Sequence, residues 1–133
     1  MANPARNGAP VALIVEDDPE LRQLGAALLE ETDLRVIECE NAEQAMSCLA
    51  REGDDVALIF ADVRLPGALD GIELARNVKA LWPQISVVVT SGYSKPARGL
   101  PESVVYMPKP WLPLAVLIQA EEATARANRR RAA

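Results

Sequence analysis

Glu16 and Asp17 follow the apolar run VALIV, Asp62 follows VALIFA, Thr90 ends ISVVVT, and Lys109 follows SVVYM within the stretch YMPKPW. The chain contains no histidine, which removes Ser/His and Cys/His nucleophile pairs along with the commonest metal ligand. Chemistry is left to carboxylates, hydroxyls and lysine. Three carboxylates brought together at the apolar edge of a sheet repel one another and hold their protons unless a cation is shared. An oxygen-only site with few protein ligands suits Mg²⁺, which keeps several waters and pairs with a phosphoryl group. Lys109 adds a compact positive charge and Thr90 a hydroxyl, and both suit a phosphoryl oxygen. Taken singly, each residue has a plainer reading: Asp18 as a helix cap, Thr90 as a β-prone residue, Lys109 as a solvated lysine after a strand. Their joint placement, with the right mix of signs, points to metal and phosphate together.

The elements that must position these residues are legible as an alternation. VALIVE (11–16), LRVIEC (34–39), VALIFA (56–61), ISVVVT (85–90) and SVVYM (103–107) read as strands, and the first, third and fourth are continuous enough to be buried on both faces. Between them run the apolar helical stripes Leu21/Leu24/Leu28/Leu29, Ala42/Ala45/Met46/Leu49 and Leu74/Val78/Leu81, with a last helix carrying Leu114, Leu117 and Ile118. Asp18 before Pro19, Asn41 with Gln44, and Asp70 with Glu73 are N-terminal caps. This order predicts a three-layer α/β/α domain around a parallel five-stranded sheet. In the flavodoxin-like order 2-1-3-4-5, strands one and three are neighbours, so Asp17 meets Asp62 where open sheets bind ligands. The crossover SGYSKPARGLPE (91–102) carries two glycines, two prolines and no apolar stripe. A fourth helix there is expected to be short or absent.

Composition sets the outer bounds. A chain of 133 residues, half of them hydrophobic, is one ordinary domain. Residues 10–125 are taken as that domain, 1–9 as a flexible N-terminal tail and 126–133 as a basic C-terminal tail. Arg129–Arg131 are most simply a cationic helix end. The net charge of −5 disfavours direct DNA binding and anionic membrane surfaces. No apolar run reaches the ~20 residues of a spanning helix, and a cytoplasmic protein is expected. Cys39 and Cys48 lack metal-type spacing and read as reduced packing thiols.

The segments IVEDDP, IFADVRLPGALDG, VVVTSGY and YMPKPW, in that order across roughly residues 11–118, resemble the receiver domain of bacterial two-component response regulators of the chemotaxis-regulator type. The resemblance implies that Asp62 is the phosphoacceptor, supplied by a phosphohistidine on a histidine kinase or a histidine phosphotransfer protein. It implies Mg²⁺ held by Asp17, Asp62 and the backbone carbonyl of Arg64, with Glu16 reaching it through a water. Thr90 and Lys109 would bond the phosphoryl group, Tyr106 would be the aromatic switch partner of Thr90, and Lys109–Pro110 would be a cis junction. By the same match, Arg64 and Gly92 occupy positions that tune phosphoaspartate lifetime. Such a protein catalyses its own phosphorylation and dephosphorylation without being a conventional turnover enzyme.

Thr90 and Lys109 are only 19 positions apart (109 − 90), short for the family, whose usual output face is built from the fourth helix, strand five and helix five. With no DNA-binding module after about residue 118, a single-domain receiver acting on an unknown downstream protein is expected. Three other readings compete. A haloacid-dehalogenase-type phosphatase needs a second aspartate where Arg64 stands. A flavin binder would meet repulsion from the acidic EDDP loop. A phosphorylation-independent interaction module would have no need of the acid, threonine and lysine set.

Overall fold

The computed structural model describes residues 8–92 and 99–132. In chain order the elements are β1 (Val11–Val15), α1 (Pro19–Glu30), β2 (Arg35–Cys39), α2 (Ala42–Glu52), β3 (Val56–Asp62), α3 (Gly71–Leu81), β4 (Ser86–Ser91), β5 (Val105–Pro108) and α4 (Pro113–Ala132). A 3₁₀ turn, Gly53–Asp55, joins α2 to β3. All strand pairs are parallel and the order is β2-β1-β3-β4-β5. This is the three-layer flavodoxin-like fold expected from the alternation.

Successive strand residues face opposite sides of the sheet, and each side has its own core. Leu13, Val15, Ile59, Ala61, Val87 and Val89 pack against α2 and α3. Ala12, Ile14, Leu58, Phe60, Val88 and Met107 pack against α1 and α4. Both β1 and β3 are buried along their whole length, as their unbroken apolar runs imply.

The helix starts follow their caps. Asp18 accepts from the Glu20 and Leu21 amides, Asn41 from Gln44, and Asp70 with Glu73 forms a reciprocal capping box. The helix faces depart from the expected stripes. Leu24, Leu81, Leu114 and Ile118 are exposed, Leu114 at 69%. The buried face of α4 is instead Val116, Ala120, Ala123, Thr124 and Ala127. Small side chains thus make up most of the buried face, while the larger Leu114 and Ile118 point outward.

The basic residues expected as a tail continue α4 as far as Ala132. Ala127 is buried, Arg126 donates to Ser86 Oγ at 3.0 Å, and Arg131 donates to the Gly8 carbonyl at 2.7 Å. Arg131 also lies 3.5 Å from Asp55. These contacts and the favourable placement of Arg129–Arg131 at the negative helix end extend the helix beyond its apolar pattern. Most of the expected N-terminal tail, residues 1–7, lies outside the described residues.

Among the described residues no helix stands between β4 and β5. Residues 93–98 of that crossover lie outside the described set. The chain beyond them is tied to α3, where Arg76 Nε donates to the Gly99 carbonyl at 2.8 Å. Gly99 has φ +80°, and a Cβ there would collide with the Arg76 guanidinium.

Candidate functional site

The carboxyl ends of β1, β3, β4 and β5 meet on one edge of the sheet, pinned by amide bonds that extend the ladders. Glu16 N–H donates to the Cys39 carbonyl at 3.0 Å, Val63 N–H to Thr90 at 2.9 Å, and Lys109 N–H to Ser91 at 2.8 Å. Asp62 and Thr90 are register partners on β3 and β4. Their side chains therefore share the face that carries Phe60, Val88 and α1.

One oxygen from each of Glu16, Asp17 and Asp62 lies within 4.8 Å of the other two. Glu16 and Asp62 are buried, at 2% and 8% exposure, while Asp17 opens to solvent. Lys109 Nζ donates to Glu16 Oε1 at 2.8 Å and to Asp62 Oδ2 at 3.2 Å. Burial pushes the Glu16 carboxyl above its usual range and Asp62 adds to the rise, with Lys109 and the Asp18 amide opposing them. Burial works against the Lys109 charge, but the Glu16 hydrogen bond and the charges of Asp62 and Glu16 outweigh it. The ammonium is held above its ordinary pKa.

The acid loop is braced from both sides. The Asp18 amide donates to Glu16 Oε2 at 3.2 Å, and Arg22 Nη1 donates to the Glu16 carbonyl at 3.0 Å while its Nε bonds Glu38 at 3.2 Å. On the β3 side, the Arg64 amide donates to Asp62 Oδ1 at 3.4 Å. Gly71, the first residue of α3, donates its N–H to the Val63 carbonyl at 2.8 Å. A Cβ on Gly71 would collide with the Asp62 carbonyl oxygen, so only glycine lets α3 start this close to the strand end.

Glu16, Asp17, Asp62 and Lys109 thus come together as the sequence predicts, and Thr90 stands in register beside Asp62. The Lys109–Pro110 peptide is cis. Tyr106 is the register partner of Val89 and so lies on the α2/α3 face of the sheet, opposite the face that Thr90 shares with Met107. The aromatic residue that touches Thr90 is Trp111, whose indole Nε1–H donates to Thr90 Oγ1 at 2.7 Å. The sequence reading missed this residue. Its only signal was a tryptophan, an obligate N–H donor, two places after Lys109. Gly71 was missed as well, since its role depends on a tertiary contact.

The chain as a whole is similar to known proteins. Residues 12–100, more than half of the chain, match the family model of the response regulator receiver domain. The chain is 42% identical over 83 residues to protein-glutamate methylesterase/protein-glutamine glutaminase 3 of Hahella chejuensis, covering 62% of this chain and 23% of that protein. It is 38% identical over 86 residues to the transcriptional regulatory protein AruR of Pseudomonas aeruginosa, covering 62% and 34%. A match to the sensor kinase CckA of Brucella abortus, 29% identical over 109 residues, covers 79% of this chain and 11% of that one. The chain therefore spans about a third or less of these curated relatives.

Among solved structures, a response regulator receiver domain protein from Clostridium thermocellum superposes with a TM-score of 0.79 at 19% identity, covering 90% of this chain and 97% of that chain. A response regulator receiver protein from Sinorhizobium medicae gives 0.76 at 19%, with the same coverage. At these identities the likeness shows the shared fold. No helix among the described residues is long and apolar enough to cross a membrane. With the family match spanning the strands that carry Glu16, Asp17, Asp62 and Thr90, the chain belongs to the response regulator receiver domain family of two-component systems.

Proposed function

We propose that Asp62 accepts a phosphoryl group from a phosphohistidine on a histidine kinase or histidine phosphotransfer protein, and that the phosphorylated chain changes its binding to a downstream protein. The observation that carries this reading is Lys109 Nζ bridging Glu16 and Asp62 at 2.8 and 3.2 Å, with Thr90 in register beside Asp62. An Asp62 carboxylate oxygen attacks phosphorus, the phosphorus–nitrogen bond to the imidazole breaks, and the imidazole nitrogen leaves with that electron pair. The product is an acyl phosphate on Asp62. These 133 residues contain no histidine, so the phosphohistidine lies outside them.

The acid cluster fits Mg²⁺. Its donors are all oxygens within 4.8 Å of one another, and buried Glu16, its carboxyl raised above the usual range, calls for a shared cation. Asp17, Asp62 and the Arg64 backbone carbonyl would hold the ion, with Glu16 acting through a water. When bound, it supplies charge neutralisation beside the transferred group. Lys109 leaves Glu16 to pair with the phosphoryl oxygens, and the Thr90 hydroxyl donates to another of them. Tyr106, on the far face of β5, responds as Thr90 is drawn toward the new charge.

The test is incubation with acetyl phosphate with and without Mg²⁺, read by intact mass. A gain of one phosphoryl group that requires Mg²⁺ is expected. No gain from acetyl phosphate or from any phosphohistidine donor contradicts the reading and favours a phosphorylation-independent interaction module.

A further inference from the structure

Thr90 is 1% exposed. Among the described residues, the one side chain bonded to its hydroxyl is the Trp111 indole, at 2.7 Å. A threonine hydroxyl has one proton to give and two lone pairs to accept with, whereas an indole N–H can only donate. Thr90 therefore accepts from Trp111, and among the described residues no acceptor takes its own proton. Trp111 is itself fixed by packing. Its ring meets Phe60 edge to face, with centroids 5.1 Å apart at 84°. On another side it lies over Gly25 of α1, where a Cβ would stand 3.1 Å from Cζ3 and 3.3 Å from Cη2 and would collide with Ile14. The Lys109 ammonium is 6.0 Å from the ring centroid, so the indole borders both groups offered to a phosphoryl oxygen.

We infer that Trp111 is a positioning residue for phosphoryl acceptance: its N–H holds the Thr90 oxygen so that the hydroxyl proton faces the group arriving on Asp62. This rests on the function proposed above and extends it to a residue outside the acid, threonine and lysine set. Phosphorylation polarises the Thr90 hydroxyl as it begins to donate to an anion, and the indole bond responds because linked hydrogen bonds strengthen one another. The interlocked ring then carries that change to α1 at Gly25 and to the start of α4.

The test combines Trp111→Phe, which keeps an aromatic ring but removes the donor, with Thr90→Val, which removes the acceptor. Phosphorylation by acetyl phosphate with Mg²⁺ is expected to slow about three- to tenfold in Trp111→Phe, the range one hydrogen bond supports. In the Thr90→Val background the same change is expected to have no further effect, because the two residues act as one unit. Equal slowing in both backgrounds, or none in either, overturns the inference. A second readout needs no variant that must fold. The Trp111 indole N–H resonance of the unaltered protein is expected to shift on phosphorylation, and a resonance that stays in place in a fully phosphorylated sample overturns the inference. If the unaltered protein accepts no phosphoryl group at all, the proposed function falls and this inference falls with it.

Discussion

Lys109 Nζ stands nearer to Glu16 Oε1, at 2.8 Å, than to Asp62 Oδ2, at 3.2 Å. The resting lysine thus neutralises the more deeply buried acid while staying within reach of the residue proposed to react. Lys109→Ala leaves Glu16 buried without its cation, and breaking such a partly buried pair costs on the order of 1–3 kcal/mol. Urea unfolding without divalent cation is expected to show that loss. The variant is expected to keep Mg²⁺ binding, seen as a rise in Tm at least as large as in the unaltered protein, and to lose signalling on phosphorylation. A variant that signals normally contradicts the role given to Lys109.

Gly71 couples α3 to the end of β3. A methyl group there meets the backbone of Asp62 and Val63, which cannot rotate away as a side chain can. Gly71→Ala is expected to cost about 2 kcal/mol or more in urea unfolding and to slow phosphoryl acceptance by displacing Asp62. A substitution that is neutral in both measurements contradicts the close approach.

Cys39 lies in the α2/α3 core at the end of β2, with Cys48 nearby on α2, and both thiols are free and buried. Burial first, and the neighbouring Cys48 second, push the Cys39 thiol from 9.0 up to about 12. A raised thiol pKa means the folded state holds its proton more tightly than the unfolded chain. Its contribution to stability is whole below pH 9 and declines as pH rises toward about 12. The Cys39 thiolate is therefore strongly disfavoured in the native protein at pH 8. Iodoacetamide labelling at pH 8 is expected to spare Cys39 in the native protein and to modify it readily in urea. Rapid labelling without denaturant contradicts its burial.

Much of this site was legible in the sequence because it is built from local signals. The caps Asp18, Asn41 and Asp70 act within their own first turns, and the unbroken apolar runs mark β1 and β3 as central strands. Those strands bring Glu16, Asp17 and Asp62 together. Helix faces were less legible where small residues do the packing. In α4 the alanines at 120, 123 and 127 are buried and Leu114 is not, an inversion that size-weighted patterning cannot anticipate. Trp111 was illegible for a different reason. Its contact with Thr90 depends on the register that pairs Thr90 with Met107 and on how the chain turns after Lys109, and neither is a local property.

In the proposed function the phosphoryl group is carried by Asp62. The most direct test is to phosphorylate the unaltered protein with acetyl phosphate and Mg²⁺, reduce the acyl phosphate with borohydride, and map the modified residue by peptide mass spectrometry. Conversion of Asp62 to homoserine is expected, with no modification of Glu16 or Asp17. Reduction mapped to either of those acids, with Asp62 intact, would contradict that role for Asp62.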